Sequence, residues 1–427
     1  MPADVPRPDR GPEDARVSAA SALRVHDDAV RANTAHFAAL TGGRLMAVLK
    51  ADGFGHGSVA ASVIESGARS VGVTSVEEAL ALRAEGVRVP VLSWLNAPDA
   101  DFEAAIRADV DLAVPGPELL HAVARAARSA GRPARVHLHV DVGMARDGCP
   151  PGAWRCLCDL ARELRAAGQV RVVGVMGHMS CADRPGDEQN ERERLAFDAA
   201  LRTARRRGLA PAVAHLAATA ATVTGAGAGF DLHRIGAGLF GIDPSGTSSA
   251  LRPALTLTSH VVSSREASAG TGVGYGLAHV LARRTNLALL PIGYGDGLPR
   301  TASHRAEVLV RGRRRPVVGL FSMDMVVVDT GDDLVRPGEP AVLFGPGEGG
   351  EPTVADWARW ADTVPHEIVT RIGSRVARVH RTTDASVPAA SALRASSVPG
   401  RSPAPRPSSA PRAPSIPLPS DEAGALA

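Results

Sequence analysis

The chain has 427 residues, with 48 Lys and Arg against 45 Asp and Glu, so its formal net charge is only +3. Its arginine clusters, at 205–207 and 313–315, have no aromatic residues between them, which argues against a nucleic-acid-binding surface. No stretch is long and apolar enough to span a membrane, and residues 1–15 lack the apolar core of a signal peptide, so a cytoplasmic protein is predicted.

The two ends of the chain have the composition of disordered segments. Residues 1–16 are rich in Pro and Asp, and residues 381–427 consist mostly of Ser, Pro, Ala and Arg. Such segments bury too little apolar surface to offset their chain entropy. We therefore predict a disordered N-terminal segment, a disordered C-terminal tail and a folded part between them.

Residues 17–254 alternate short apolar runs with amphipathic helical stretches, such as 76–85, 117–130 and 188–207. Eight runs are strand candidates, at 45–49, 71–73, 90–92, 111–114, 136–140, 172–175, 213–215 and 232–235. This alternation predicts an α/β fold, a (β/α)₈ TIM-type barrel. Its last helix is expected to be missing or displaced, because a Pro- and Ser-rich stretch follows Ile242.

Residues 255–380 have a different character. Their apolar runs are short and are separated by Gly and Pro turns, which predicts a mostly β C-terminal domain with one helix near 354–361.

The basic residues are very unequally divided: one is a lysine, Lys50, and the other 47 (48 minus 1) are arginines. Arginine replaces lysine as a surface charge but cannot form a Schiff base, because the guanidinium stays protonated. Chance survival of one surface lysine is the alternative on composition alone. Lys50 ends the first predicted barrel strand, however, and active sites of such barrels lie at the C-terminal strand ends. Partial burial there would lower the pKa of the amine and make it a nucleophile.

Other polar residues also follow predicted barrel strands. Arg146 follows the fifth, His178 ends the sixth, Thr219 follows the seventh, and Arg234 with Gly236 ends the eighth. The four cysteines, by contrast, fit no zinc motif and are predicted to be free thiols, and no metal site is expected. They are Cys149, Cys156, Cys158 and Cys181.

Four segments together resemble the signatures of the alanine racemase family. They are AVLKADGFGHG at 47–57, VDVGMAR at 140–146, PIGYGDG at 291–297 and SMD at 322–324. The resemblance covers about residues 20–380. It implies a barrel with a C-terminal β domain, pyridoxal 5'-phosphate as the cofactor, and racemisation of an amino acid, with L-alanine and D-alanine as the first choice of substrate and peptidoglycan as the destination of D-alanine.

The resemblance also assigns roles. Lys50 matches the lysine that holds the cofactor and acts as the base on one face of the substrate. Tyr275 matches the tyrosine that works on the opposite face and comes from the partner subunit, so a homodimer with shared active sites is implied. Racemisation needs two such groups, one to remove the α-proton and one to return a proton to the other side. Arg234 matches the arginine facing the pyridine nitrogen, and His178 the histidine between that arginine and the tyrosine.

The remaining assignments concern the phosphate and the substrate. Thr219 and the backbone N–H groups of Gly236 and Ala237 match the phosphate site. Arg146 matches the arginine that meets the cofactor's phenolic oxygen and the substrate carboxylate, and Met323 a partner-subunit residue that contacts this carboxylate. Asp324 and Tyr294 lie in family motifs near the site, although Asp324 is equally compatible with a turn.

Four positions depart from the family pattern. Phe54 replaces a tyrosine that bonds the phosphate, and Ala218 replaces a common asparagine. His139 stands where many members have a lysine, carbamylated in some, that positions the arginine matching Arg146. His366 stands where a tyrosine narrows the substrate entrance. Serine or a larger amino acid, in secondary metabolism or antibiotic resistance, is therefore the alternative to alanine.

Three other functions remain open at this point. A decarboxylase would use the same barrel, and a D-amino-acid aldolase would need a metal site in the C-terminal domain, where no convincing cluster is evident. A non-enzymatic pyridoxal-phosphate carrier would need Lys50 but neither the second domain nor Tyr275.

Overall fold

The computed structural model describes residues 21–381. The predicted disordered segment 1–16 and all of the predicted tail beyond Arg381 lie outside the described residues. Within residues 21–381, no helix combines the length and the apolar character needed to cross a bilayer.

Eight parallel strands form the barrel, in the order β8-β7-β6-β5-β4-β3-β2-β9. They are β2 (Leu45–Val48), β3 (Ser70–Val73), β4 (Val91–Ser93), β5 (Val110–Val114), β6 (Ala134–His139), β7 (Val170–Met176), β8 (Val213–His215) and β9 (His233–Ile235). The gap between β8 and β9 is bridged by a hydrogen bond from Arg234 N–H to Ala217 C=O at 3.0 Å. All eight predicted strands are present, and the predicted barrel is confirmed.

Helices and turns connect the barrel strands on the outside. They are α2 (Lys50–Gly55, a left-handed turn), α3 (Ala60–Glu65), α4 (Val76–Ala84), α5 (Phe102–Arg107), α6 (Pro117–Ala130), α7 (Pro151–Ala166), α8 (Glu188–Arg206) and α9 (Thr219–Val223). After β9 the chain makes only a short 3₁₀ turn, Ala237–Phe240. Helix α1 (Asp27–Leu40) packs on this turn and supplies the missing layer: Asn33 donates hydrogen bonds to Leu239 C=O at 3.1 Å and Arg252 C=O at 2.8 Å.

The C-terminal part forms a nine-stranded, mostly antiparallel sheet, in the order β11-β14-β17-β16-β15-β18-β10-β1-β19. Its strands are β1 (Ser21–His26), β10 (Leu255–His260), β11 (Ser263–Ala267), β14 (Thr285–Leu290), β15 (Glu307–Val310), β16 (Arg313–Val318), β17 (Val326–Gly331), β18 (Pro340–Phe344) and β19 (Ala377–Arg381). A separate two-stranded ribbon consists of β12 (Gly272–Val273) and β13 (His279–Val280). The mostly β C-terminal domain is confirmed.

Two features of this part differ from the sequence prediction. Strand β1, which the predicted boundaries placed with the barrel, pairs with β10 and β19 in the second sheet. Alternate residues of β1 are buried, as in a strand with one face on the core. Its partners are more than 200 residues away in the chain, so a local sequence pattern cannot choose the sheet. The second difference concerns helices: α10 (Val354–Ala361) is the predicted one, and α11 (Pro365–Arg371) was not predicted.

Candidate active site

A cavity of about 580 Å³ opens at the C-terminal ends of the barrel strands. It brings together most of the side chains that the sequence singled out, although they are spread over more than 300 residues. Those that line it are Lys50, His139, Arg146, His178, Thr219, Arg234, Gly236, Ala237 and His366, with Phe54 and Ala218 at two of the positions that depart from the family pattern.

Lys50 lies two residues after the end of β2 and is followed by an unusual backbone conformation. Ala51, Asp52 and Phe54 all adopt the left-handed conformation, with φ between 53° and 55°. Such conformations cost of order 1 kcal/mol or more per residue, so other contacts must hold the turn. Glu78 is one of them: its Oε1 accepts the Ala51 N–H at 2.7 Å, and its Oε2 accepts the Thr74 N–H at 2.8 Å.

The surroundings of Lys50 favour the uncharged amine. Burial, followed by the positive charges of Arg146 and Arg234, lowers the pKa of Lys50, and Glu78 opposes this shift. An amine with a lowered pKa has more of the neutral form that acts as a nucleophile or a base at neutral pH.

Arg234 is buried at the base of the cavity, and backbone carbonyls and the ring of His215 accept its hydrogen bonds. Its Nη2 donates to Gly177 C=O at 2.6 Å, and its Nη1 donates to His215 C=O at 2.9 Å and to His215 Nδ1 at 3.0 Å. Burial, with a smaller contribution from the charge of Arg146, lowers the pKa of Arg234 to about 10. The guanidinium therefore remains charged at neutral pH, where it can donate hydrogen bonds but cannot accept them.

His178 lies between Arg234 and the open part of the cavity. Its Nδ1 is 3.3 Å from Arg234 Nη2. Burial, with the positive charges of Arg234, Arg146 and Lys50, lowers the pKa of His178 to about 3, so its imidazole is neutral. Because Arg234 only donates, Nδ1 of His178 is the acceptor and Nε2 carries the proton.

A small polar cradle lies at the start of α9 and of the 3₁₀ turn after β9. The hydroxyl of Thr219 accepts the N–H groups of Gly236 and Gly238, both at 3.3 Å, so its own hydrogen is free to be donated. A Cβ at Gly236 would meet the ring of Phe54 at 2.7 Å, so a larger residue would displace that ring. The cradle therefore presents the Thr219 hydroxyl as a hydrogen-bond donor in a confined space.

The loop after β6 carries Arg146 into the cavity. Asp141 shapes this loop, because its Oδ1 accepts the N–H groups of Gly143, Met144 and Ala145 at 3.0 to 3.2 Å. Asp147, which the sequence analysis had not named, also lines the cavity, and its Oδ2 lies 3.3 Å from His139 Nδ1. The contact with His139 lowers the pKa of Asp147 and so favours its ionised carboxylate.

Helix α11 places His366 over the mouth of the cavity. The His366 ring lies 6.2 Å from the ring of Phe54, centroid to centroid. Burial, followed by the charge of Lys50, lowers the pKa of His366. The helix is held near the Lys50 turn by Arg378, whose Nε donates to Gly55 C=O at 2.9 Å and whose Nη2 donates to Ile372 C=O at 2.7 Å.

Four named residues do not line this cavity: Tyr275, Tyr294, Met323 and Asp324 lie in the C-terminal part. Tyr275 has 67% and Met323 52% of its surface exposed in the single chain, which is unusual for such apolar side chains. Asp324 pairs with Arg375 at 2.7 Å. The cavity of one chain thus contains Lys50 but no tyrosine.

Sequence reasoning missed three buried polar residues inside the barrel: Asp111, His137 and His215. A signal was available, because each interrupts an apolar barrel strand. Residues 21–381 contain no group of three or more His, Cys, Asp or Glu side chains that could hold a metal ion.

Comparisons with known proteins agree with this architecture. The family model for the alanine racemase N-terminal domain matches residues 25–244, and the model for the C-terminal domain matches residues 254–380. The alanine racemase of Frankia casuarinae is 46% identical over 359 residues, which cover 82% of this chain and 94% of that protein.

Solved structures give the same result. The crystal structure of alanine racemase from D-cycloserine-producing Streptomyces lavendulae superimposes with a TM-score of 0.83 and 41% identity, covering 85% of this chain and 97% of that one. The alanine racemase of Bartonella henselae, with covalently bound pyridoxal phosphate, gives a TM-score of 0.77 at 25% identity and covers 84% and 99%. The chain therefore belongs to the alanine racemase family of amino-acid racemases.

Proposed function

We propose that the protein is a pyridoxal-phosphate-dependent racemase that interconverts L-alanine and D-alanine. The observation that carries this proposal is the cavity that joins the amine of Lys50 to a buried cationic donor, Arg234, and a small anion cradle at Thr219. The names of the relatives supply the choice of alanine as substrate.

The cavity offers one matching group for each reactive part of pyridoxal phosphate. The amine of Lys50 would hold the aldehyde carbon, Arg234 would donate to the ring nitrogen, and the Thr219 hydroxyl with the N–H groups of Gly236 and Ala237 would hold the phosphate. When bound, the cofactor withdraws electrons from the substrate's α-carbon and makes its proton acidic. Because Arg234 does not give up its proton, the ring nitrogen would stay unprotonated and the side reaction of transamination would be suppressed.

Lys50 is proposed as the base on one face of the substrate. Its Nζ would take the α-proton, and the neighbouring cations Arg146 and Arg234 favour the neutral amine that this requires. His178, whose Nδ1 lies 3.3 Å from Arg234 Nη2, would be neutral and would add no charge to the cavity. It would orient the second group, which acts on the opposite face of the substrate.

Tyr275 is proposed as that second group, acting in the partner's site. Its exposure in the single chain, together with that of Met323, supports a homodimer in which each C-terminal domain completes the other subunit's cavity. The hydroxyl of Tyr275 would return or remove the proton on the face opposite Lys50. Met323 would lie near the substrate carboxylate, and Asp324 and Tyr294 would support Met323 and Tyr275 at this side of the site.

Arg146 is proposed to bind the substrate carboxylate, because it lines the same cavity as Lys50 and its positive charge contributes to the lowered pKa of Lys50. His366 and Phe54 at the mouth favour the second candidate, a racemase of serine or another amino acid, because an imidazole there can hydrogen-bond a polar substrate side chain.

The experiment that tests the proposal is chiral analysis of the purified holoenzyme with a panel of L- and D-amino acids. Alanine is expected to racemise with the highest kcat/KM and to reach an equimolar mixture from either enantiomer. A higher kcat/KM for serine would shift the assignment to the second candidate. If protein that carries the cofactor racemises no amino acid, the carrier alternative is favoured instead.

A further prediction concerns carbon dioxide. Because the chain has no lysine besides Lys50, no second lysine can carry a carbamate, and His139 with Asp147 occupies the position where many family members have that lysine. We expect kcat and KM to be the same in carbon-dioxide-free buffer and in bicarbonate. A bicarbonate-dependent rate would contradict this. The matched control is His139→Lys, in which bicarbonate sensitivity is expected to appear.

We also propose that the enzyme works in the cytoplasm and that its D-alanine enters peptidoglycan. The four cysteines are all free thiols, which supports a reducing compartment. A role in antibiotic resistance or secondary metabolism is the alternative. It is supported by the similarity to the alanine racemase of a D-cycloserine-producing organism.

A further inference from the structure

A column of polar side chains continues from the cavity into the interior of the barrel. His139 and Met176 line the cavity, and side chains two residues apart on a strand share a face, so His137 and Gly174 point into the barrel one layer deeper. His137 is only 4% exposed. Nothing in the proposed chemistry touches this layer, yet burying unpaired polar groups there would be costly.

Hydrogen bonds link this column without a break to the base of the cavity. Arg234 Nη1 is 3.0 Å from His215 Nδ1, and His215 Nε2 is 2.9 Å from His137 Nδ1. His137 Nε2 is 3.4 Å from Asp111 Oδ2. Arg135 donates to the same carboxylate, from Nε at 2.5 Å and from Nη2 at 3.0 Å. His215 is 0% exposed and Asp111 5%, so the links between them are shielded from water.

The chemistry of the two ends allows only one direction of donation. Arginine has no acceptor, so Nδ1 of His215 must carry the lone pair and its Nε2 the proton. That proton is donated to Nδ1 of His137, whose own proton is then on Nε2 and points to Asp111. The carboxylate of Asp111 only accepts, which requires the same arrangement. Both ends therefore select the same tautomer of both histidines.

The backbone is built to allow this arrangement. On β7, between the strands of the two histidines, a Cβ at Gly174 would meet Nδ1 of His137 at 2.2 Å. Only glycine leaves space for the imidazole to reach across β7 to His215. The His137–His215 bond thus depends on a specific small residue, which a chance contact would not.

The electrostatics of the lower end agree with this direction. Burial alone would raise the pKa of Asp111, but the hydrogen bonds from His137 and Arg135 and the charge of Arg135 outweigh it, and the pKa is lowered. Burial, followed by the charge of Arg234, holds the pKa of His215 well below its ordinary value. An ionised acceptor at one end and a neutral imidazole in the middle are what the directed chain requires.

We propose that Asp111 is a positioning residue that acts through His137 and His215, fixes the tautomers of both, and thereby holds the guanidinium of Arg234 in its orientation at the cavity. Its effect on the reaction rests on the proposed function, in which Arg234 faces the ring nitrogen of the cofactor. The tautomers themselves do not depend on that function.

The direct test is nuclear magnetic resonance of the holoenzyme labelled with ¹⁵N in its histidines, with the two signals assigned by replacing His137 and His215 in turn. Nitrogen shifts separate protonated from unprotonated ring nitrogens. Both histidines are expected to carry their proton on Nε2 in the wild-type enzyme. A proton on Nδ1 of either histidine would overturn the proposal without any further variant.

The variant test is Asp111→Asn. An asparagine has one acceptor oxygen for the three hydrogen bonds that His137 and Arg135 donate to Asp111. Its NH₂ group must either face one of these donors or force His137 into the other tautomer. We expect an altered tautomer at His137 or His215, a shifted visible band of the bound cofactor, and kcat lower by about tenfold with KM little changed, since one buried charged hydrogen bond is lost. Wild-type tautomers together with a wild-type cofactor band in this variant would refute the proposal.

Two controls separate positioning from a general loss of stability. Arg135→Met removes the neighbouring cation but leaves the acceptor, so the tautomers are expected to stay as in the wild type. Asp231→Asn changes a carboxylate that accepts the Ala214 N–H at 2.9 Å, outside the column, and its kcat is expected to stay within about twofold. If the wild-type enzyme shows the expected tautomers but neither racemises nor binds the cofactor, the proposed function fails and the tautomer assignment stands.

Discussion

Replacing Lys50 with arginine is expected to abolish racemisation and the visible absorption of the bound cofactor together. The side chain keeps its positive charge and nearly its length, but a guanidinium neither attacks an aldehyde nor takes a proton at neutral pH. We expect kcat to fall by at least about 10⁴-fold, because the variant loses both covalent attachment and a base. Absorption spectra and chiral analysis of the same preparation measure the two losses.

Controls for this prediction use the fact that Lys50 is the only lysine. Borohydride reduction of the holoenzyme followed by peptide mapping is expected to place the cofactor on Lys50. Arg192→Lys, at an exposed helix position paired with Glu188, adds a surface lysine and is expected to remain active. Adding the same change to the Lys50→Arg variant should restore nothing. A tag on any other residue, or no chromophore in the wild-type protein, would contradict the assignment.

Tyr275→Phe is expected to lower the racemisation rate by about 10²- to 10⁴-fold, the usual contribution of a positioned acid–base group. Lys50 would still be in place, so exchange of the α-proton with solvent deuterium should continue for one enantiomer without inversion. The measurement is deuterium incorporation and chirality in the same reaction. Equal loss of exchange for both enantiomers would argue against a role of Tyr275 on one face.

Subunit mixing tests whether Tyr275 acts in the partner's site. Mixed dimers of Lys50→Arg and Tyr275→Phe chains would contain one complete site out of two if the tyrosine crosses the interface. Random pairing of equal amounts makes half of the dimers mixed, so activity should recover to about one quarter of the wild-type value. If Tyr275 instead acted in its own chain's site, no dimer would have a complete site and mixing would restore no activity.

Much of the fold could be predicted because its signals are local. Each barrel strand is a short run of buried apolar residues bounded by turns, and all eight were found within a few residues of their predicted places. The position of Lys50 at a strand end follows from the same pattern. Helix α11 escaped prediction because it has only seven residues, too few for a clear helical period.

The sequence by itself determined the succession of elements, the barrel, the mostly β domain and the cavity-lining position of Lys50. Strand periodicity and residue chemistry can be recognised from residues that are neighbours in the chain. Only the tertiary structure decided that β1 joins the second sheet and that Arg378 holds helix α11 near the Lys50 turn. It alone brought Asp111, His137 and His215 into one column under Arg234. The physical reason is that these contacts depend on the pairing and register of strands far apart in the chain, which no local pattern records.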